Sequence, residues 1–318
     1  MVVGETLRNR YRVLSLLGQG GFSETYLAED LDLPLNPKCV VKYLKPKSAD
    51  PEILSLARRM FNTEAKVLQR LGDNHPQIPT LYAFYEHKGE FFLVQEFVDG
   101  HDLMDELIPG HGLAEEAVVQ MVSGILEVLT FVHSQNIIHR DIKPRNIMRR
   151  HSDGKIVLID FGAVKEVGSL TLDAQGNTAF TVAIGTPTYM PSEQANGKPR
   201  LSSDVYAVGR IAIQALTGVV PSQLPTDRDT GEVLWRDRAQ VSVAFADVVD
   251  TMVRDHFSLR FPSASEALEA LQRREELSSL PPELARALTP GPTKLRGGPD
   301  LTTNHDVQQA RRLALTAG

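Results

Sequence analysis

The run His139-Arg140-Asp141-Ile142-Lys143-Pro144-Arg145-Asn146 gathers an acid, a cation and a neutral amide into a few residues. Asp141 can accept or orient the proton of a hydroxyl group. Lys143 can neutralise charge on a phosphoryl group in transfer, and Asn146 offers a neutral oxygen ligand suited to Mg2+. Pro144 keeps the run from being a helix, so it reads as a loop. Nineteen residues after Asp141 comes Asp160-Phe161-Gly162, at the end of a short apolar run. A hard carboxylate at that strand end could bind a metal ion bridging a phosphate chain.

Two further groups lie upstream. Lys42 sits in the otherwise apolar run Cys39-Val40-Val41-Lys42-Tyr43-Leu44. Alone, such a lysine reads as one that snorkels to the surface. Glu64, twenty-two residues on, changes that reading. It shares the apolar stripe of Met60, Phe61, Val67, Leu68 and Leu71 in a segment of helical period. A lone buried carboxylate needs a partner. Lys42 and Glu64 can therefore satisfy each other, which would hold the lysine ready for a phosphate. Gly18-x-Gly20-x-x-Ser23 would let the backbone approach phosphate oxygens and offer N–H donors. A glycine-rich hairpin is a weak signal by itself, and no Gly-Lys-Ser/Thr follows to make it a Walker loop.

These groups need elements to position them. Strands are expected over 11–17, 25–28, 39–44 and 91–97, with a loop at 18–21 and an irregular connection at Pro34 and Pro37. With the helix over 52–71 they make a small, mostly β lobe that ends where Gly100 breaks the chain. A long amphipathic helix over 115–135 carries Val118, Met121, Val122, Ile125, Leu129 and Val132. A buried strand at 156–160 and helices over 205–217, 245–253 and 263–274 follow. Beyond 274 prolines and glycines replace large apolar residues, so 275–318 reads as a flexible tail, with a short helix over 307–315.

Composition narrows the class. The chain has 318 residues, 42% apolar and 23% charged, which is ordinary globular usage. A net charge of -6 gives no basic surplus for nucleic acid or an anionic membrane. Cys39 is the single cysteine, so there is no internal disulfide and no cysteine-based zinc site. The nine histidines show no H-E-x-x-H spacing. The first residues lack a signal-peptide layout, and the longest apolar stretch, 205–220, is too short to span a bilayer. The expectation is a cytoplasmic protein with no membrane segment.

The set of motifs resembles the eukaryotic-type (Hanks-type) serine/threonine protein kinase family over about 11–274, five motifs standing in the family's order. Stretches such as GQGGFSETYLAED and GTPTYMPSEQ look most like bacterial, particularly cyanobacterial, members. The resemblance implies a bilobal α+β fold with a β-rich N-lobe over about 11–98 after a short lead-in at 1–10. A helical C-lobe would occupy about 99–274, with ATP in the cleft. It implies that Gly18, Gly20 and Ser23 cover the phosphates and that Lys42, paired with Glu64, holds the α- and β-phosphates. Asp141 would be the catalytic base and Lys143 would meet the γ-phosphate. Asn146 and Asp160 would hold Mg2+, or Mn2+. Gln95 takes the gatekeeper position, Glu96 and Val98 the hinge contacts to adenine, and Asp102 the ribose. Thr25, Val40 and Met148 would sandwich the adenine. Leu68, Leu81, His139 and Phe161 match the family's regulatory apolar stack.

Some positions depart from the pattern. Ser23 replaces a glycine, Thr25 a valine and Val40 an alanine; Pro191-Ser192-Glu193 stands for A-P-E, with Glu193 free to pair with Arg260. Lys143 and the Gly185-Thr186 pair imply Ser/Thr rather than Tyr acceptors in a protein substrate. Arg140 and Lys165 would receive an activation-segment phosphate, for which Thr181 and then Thr178 are the candidate autophosphorylation sites. The competing readings are an ATP-binding pseudokinase scaffold and a small-molecule kinase of similar fold. The first would require loss of Lys42, Asp141, Asn146 or Asp160. The second would lack the long 160–193 segment.

Overall fold

A computed structural model describes residues 3–20, 23–45, 50–87, 90–162, 164–166 and 186–279. The chain falls into two units, Met1–Glu275 and Glu276–Gly318. Both lobes of the fold belong to the first unit.

The N-lobe is a six-stranded antiparallel sheet in the order β1-β2-β3-β4-β6-β5. Its strands are β1 (Thr6–Leu7), β2 (Tyr11–Gln19), β3 (Ser23–Asp30), β4 (Lys38–Leu44), β5 (Leu81–His87) and β6 (Glu90–Glu96). Side chains alternate across a strand, and β4 uses both faces. Val41 and Tyr43 join an aromatic cluster with Tyr11, Tyr26, Tyr85 and Phe92. Leu44, on the other face with Lys42, joins Leu93 and the buried stripe of α1 (Pro51–Leu71). Cys39 is buried in β4, between Ala28 of β3 and Glu96 of β6. Helix α1 starts cleanly because Asp50 accepts the Glu52 N–H at 2.8 Å and Pro51 fits the first turn.

The two arms of the glycine-rich hairpin extend further than the sequence pattern implied. β2 runs through Gly18 to Gln19, with register shifts between Val13 and Ser15 and between Leu16 and Gly18. Gly100 also differs from expectation: it opens β7 (Gly100–Asp102) instead of only ending the lobe. A side chain there would run into the Arg149 backbone, so glycine permits the close approach of β7 to its partner strand.

The C-lobe is built on α2 (Glu115–Ser134) and α4 (Leu201–Thr217), which pack on each other. Around them lie β8 (Ile137–Ile138), β9 (Ile147–Arg150), β10 (Ile156–Leu158), β11 (Lys165–Glu166), α3 (Ser192–Ala195), α5 (Val243–Met252) and α6 (Ala264–Ser279). β7, β9 and β10 form one small sheet, and β8 pairs with β11. α4 begins ahead of the expected 205 and is buried on almost every side, with Gly218 closing it at φ +67°. The expectation that 205–220 is the longest apolar stretch is corrected. α2 is long and apolar enough, by length and composition, to cross a membrane, and 56% of its apolar window is buried inside the fold. The helix expected at 307–315 lies outside the described residues.

Candidate active site

Lys42 and Glu64 meet because of two registers. In β4, Lys42 pairs with Leu93 of β6 and faces α1. In α1, Glu64 follows Phe61 by three residues and precedes Leu68 by four, so it shares their inward face. The Lys42 ammonium lies 2.6 Å from Glu64 Oε1 and 2.8 Å from Asp160 Oδ1. Burial alone would lower the lysine, but the two carboxylates outweigh it and raise its pKa. Burial pushes Glu64 up to about 7 against the pull of Lys42. Burial also works to raise Asp160, yet the facing ammonium holds it down at about 2. Its side chain keeps 41% of its surface open, against 3% for Glu64. Asp160 is thus the ionised, reachable carboxylate of the three-residue group.

Asp160 has a left-handed backbone, φ +65°, and takes the Gly162 N–H at 3.3 Å. A side chain at Gly162 would press on Glu64 Oε2 and Asp160 Oδ1, at 3.2 and 3.3 Å. Glycine keeps the space between those carboxylates clear.

The loop holding Asp141 is built as a turn. Pro144–Asn146 forms one turn of 3-10 helix, closed by the Asn146 N–H on Lys143 O at 2.9 Å. Lys143 Nζ lies 2.6 Å from Asp141 Oδ2. Asn146 Nδ2 donates to Asp141 O and Oδ2, both at 2.9 Å, which leaves its own Oδ1 as an acceptor. Thr186 Oγ donates to Asp141 Oδ1 at 3.2 Å. Ile147 pairs with Leu158 across the β9–β10 hairpin, so Asn146 and Asp160 flank the same end of it. An amide oxygen and an ionised carboxylate are hard oxygen donors, and they fit Mg2+ or Mn2+.

The nucleotide-side residues line up along the same strands. Gly18 pairs with Thr25, Thr25 with Lys42, and Val40 with Gln95. Gly20 N–H donates to Ser23 O at 2.7 Å, closing the hairpin tip. Val40, Gln95 and Val98 are buried. Glu96 exchanges two bonds with Thr80: its N–H goes to Thr80 O at 2.9 Å, and its carboxylate takes the Thr80 N–H at 3.2 Å. Asp102 faces Met148 across β7 and β9, and one of its oxygens caps the next turn through the Met104 N–H at 2.8 Å. His139 and Phe161 rest against each other with ring centroids 4.9 Å apart, and Leu68 and Leu81 belong to the same core.

Comparison with known sequences decides the family. The protein kinase domain profile matches residues 11–272, more than four-fifths of the chain. The chain belongs to the protein kinase family. Its relatives include serine/threonine-protein kinase C of Synechocystis sp., 49% identical over 267 residues, covering 84% of this chain and 50% of that protein. Serine/threonine-protein kinase PknA of Nostoc sp. is 48% identical over 269 residues, with 84% and 48% covered. Serine/threonine-protein kinase B of Synechocystis sp. is 43% identical over 269 residues, with 84% and 47% covered. The likeness is to bacterial, cyanobacterial members, and this chain spans about half the length of the curated relatives it matches. Protein kinases in general use ATP and a divalent metal.

One residue of the kinase's site was missed by sequence reasoning. Asp204, in the first turn of α4, is fully buried. Its carboxylate takes the backbone N–H groups of His139 and Arg140 at 2.8 and 2.9 Å, and faces His133 Nε2 at 3.1 Å. Arg140 is held at φ +67°, a strained conformation for a residue with a side chain, and Asp204 is what anchors it. Gln194 adds a bond from its amide to Arg140 O at 2.6 Å. An acid in a helix's first turn has a ready explanation in the helix dipole, so nothing local marks its second task. Elsewhere Arg260 clamps Glu193 with bonds of 2.7 and 3.2 Å, both residues buried, and Ser203 Oγ donates to the same carboxylate at 2.6 Å. Arg140 also donates to Val164 O at 3.3 Å, and burial lowers its guanidinium to about 10. Thr178, Thr181, Gly185 and the Lys165 side chain lie outside the described residues.

Proposed function

We propose that this chain is a serine/threonine protein kinase. It transfers the γ-phosphoryl group of ATP, with Mg2+ or Mn2+, to Ser or Thr hydroxyls of proteins, itself included, in bacterial signalling. The observation that carries the reading is the convergence on Asp141. Lys143, Asn146 and the Thr186 hydroxyl all reach its side chain, while Lys42 bridges Glu64 and Asp160.

Each group has a task in such a transfer. Asp141 orients the acceptor hydroxyl and takes its proton as the new O–P bond forms and the bond to ADP breaks. Lys143, already at that carboxylate, offsets charge on the moving phosphoryl group. Thr186, bonded to the same oxygen pair, supports a hydroxyl-bearing acceptor beside it. Lys42 positions the α- and β-phosphates, and Glu64 keeps the lysine aimed. Asn146 Oδ1 and Asp160 would hold the cation, which neutralises phosphate charge. Gly18, Gly20 and Ser23 would offer backbone donors. Thr25, Val40 and Met148 would form the adenine slot, and Gln95, Glu96, Val98 and Asp102 its edge.

A pseudokinase is disfavoured because Lys42, Asp141, Asn146 and Asp160 are all present. A small-molecule kinase is disfavoured by the length of the 160–193 segment and by the buried Glu193–Arg260 clamp that anchors its far end. The test is phosphoproteomics of purified chain and a cell lysate with Mg-ATP, comparing wild type with Asp141→Asn. Wild type is expected to add phosphate to Ser and Thr, with Thr181 and Thr178 the candidate self-modified sites. The variant should lose activity by a factor on the order of 10²–10⁴ while still folding. Equal labelling by the two proteins refutes the assignment.

A further inference from the structure

One register step from the Asp102–Met148 pair, β7 sets His101 opposite Arg149 of β9. His151 follows the end of β9, and its backbone N–H donates to Asp99 O at 2.9 Å. The two imidazoles therefore meet. His101 Nδ1 lies 3.4 Å from His151 Nε2, with ring centroids 5.5 Å apart. The remaining nitrogen of each ring faces a carboxylate: His101 Nε2 is 2.9 Å from Glu106 Oε1, and His151 Nδ1 is 3.5 Å from Asp99 Oδ1.

The proton inventory makes this pair unusual. A neutral imidazole has one N–H and one lone pair, whereas a carboxylate only accepts. His101 is best served by keeping its proton on Nε2 beside Glu106, whereas the more exposed His151, 3.5 Å from Asp99, can carry its proton on either nitrogen. With the His151 proton on Nδ1, two lone pairs face the same space across 3.4 Å, and a cation set off the line between them, which both can reach, removes their repulsion. The separation matches that of two ring nitrogens on one tetrahedral cation, ~3.3 Å for metal–nitrogen bonds of about 2.0–2.1 Å. A carboxylate on the far nitrogen is also what orients a metal-bound histidine and strengthens it as a donor.

The surrounding charges favour a cation. Arg149 is engaged by Glu106 at 2.6 and 3.0 Å, and Arg150 by Asp153 at 2.9 and 2.7 Å. With neutral imidazoles, Asp99, Glu106 and Arg149 together leave the cluster net negative. Both histidine side chains reach solvent, at 33% and 57% exposure, so an ion has access.

We propose that His101 and His151 form a binding site for a transition-metal dication of the Zn2+ class, with water completing the coordination. Among the described residues no three His, Cys, Asp or Glu side chains group to hold a metal, so this is a two-histidine site, weaker than a closed structural zinc centre. Nitrogen donors set it apart from Asn146 and Asp160, whose oxygens suit Mg2+. A cation there ties β7 to the end of β9, beside the residues proposed to meet ribose and adenine.

The test is a Co2+ titration of the full, nucleotide-free chain in Mg2+-free buffer, read by visible absorption and by thermal unfolding. A single saturable site is expected, with Zn2+ displacing Co2+ and raising Tm, because a ligand bound only by the folded state stabilises it. His101→Gln and His151→Gln should each weaken binding by at least about tenfold, the scale of losing ligand-shell support. His256→Gln and Asp160→Asn should leave it intact, which separates this site from the proposed Mg2+ site. If the intact chain shows no saturable binding, or if both histidine variants bind like wild type, the pair is an ordinary histidine–histidine hydrogen bond and the proposal is overturned.

Discussion

In the C-lobe, Arg260 spends both arms of its guanidinium on Glu193, and Ser203 fills a remaining lone pair of that carboxylate. In the N-lobe, Lys42 divides one ammonium between Glu64 and Asp160, which come from separate elements. Both arrangements bury charge. The first is closed: the arginine side chain has no exposed surface and every partner is internal. The second is open on one side, where Asp160 reaches the cleft and Glu64 is pushed up to about 7. A closed pair is a fastener for the segment that ends at Glu193. An open group with an ionised, exposed carboxylate leaves that carboxylate able to take a cation.

Removing one partner of each pair should separate these roles. Glu193→Ala strands a buried guanidinium, and chemical denaturation is expected to show a loss of about 3–5 kcal/mol. A loss within experimental error of zero would mean the clamp carries no structural weight. Lys42→Met should do the reverse. Turnover should fall by a factor on the order of 10²–10³ through misplaced phosphates, while Tm shifts little, because Glu64 can protonate near neutrality. A variant that unfolds instead would make the N-lobe pair a fastener as well.

The smallest effect is a pH dependence. Glu64 binds its proton more tightly folded, at about 7, than at its ordinary 4.5. The native state therefore holds more protons between those values, and its contribution to stability declines as pH rises through that window. Asp160 is shifted the other way, to about 2 from 3.8, so its contribution is lost only at more acid pH and does not overlap. Denaturant titrations from pH 4.5 to 7.5 should show the Glu64 slope in wild type and its disappearance in Glu64→Gln. An identical slope in the variant would place the titrating group elsewhere.

Much of the fold could be read because its signals were local. The period of α1 put Glu64 inward, and the isolated charge in β4 asked for a partner. Pro144 marked the Asp141 loop, and the apolar run before Asp160 marked the strand end. What escaped depended on distant chain. Asp204 lies sixty-five residues from His139, and nothing near it in sequence shows that it anchors a strained Arg140. The hairpin arms run past Gly18 because cross-strand pairing with Thr25 continues where local propensity gives out. The amphipathic reading of α2, by contrast, holds: Val118, Met121, Val122, Ile125, Leu129 and Val132 are buried, while Glu116, Gln120 and Glu127 are exposed. Local pattern names the residue types, and tertiary pairing decides how far each element extends.

Cys39 has a practical use that follows from its place in β4. It is the chain's one thiol, 1% exposed, walled in by strands on both sides, and burial pushes it to about 12. Only the thiolate reacts with alkylating reagents, so the folded N-lobe shields it twice, by sterics and by protonation. Alkylation under native conditions must wait for the sheet to open, and its rate then measures how often this lobe unfolds on its own. This chain thus carries a reporter for one lobe and none for the other, with no residue to engineer.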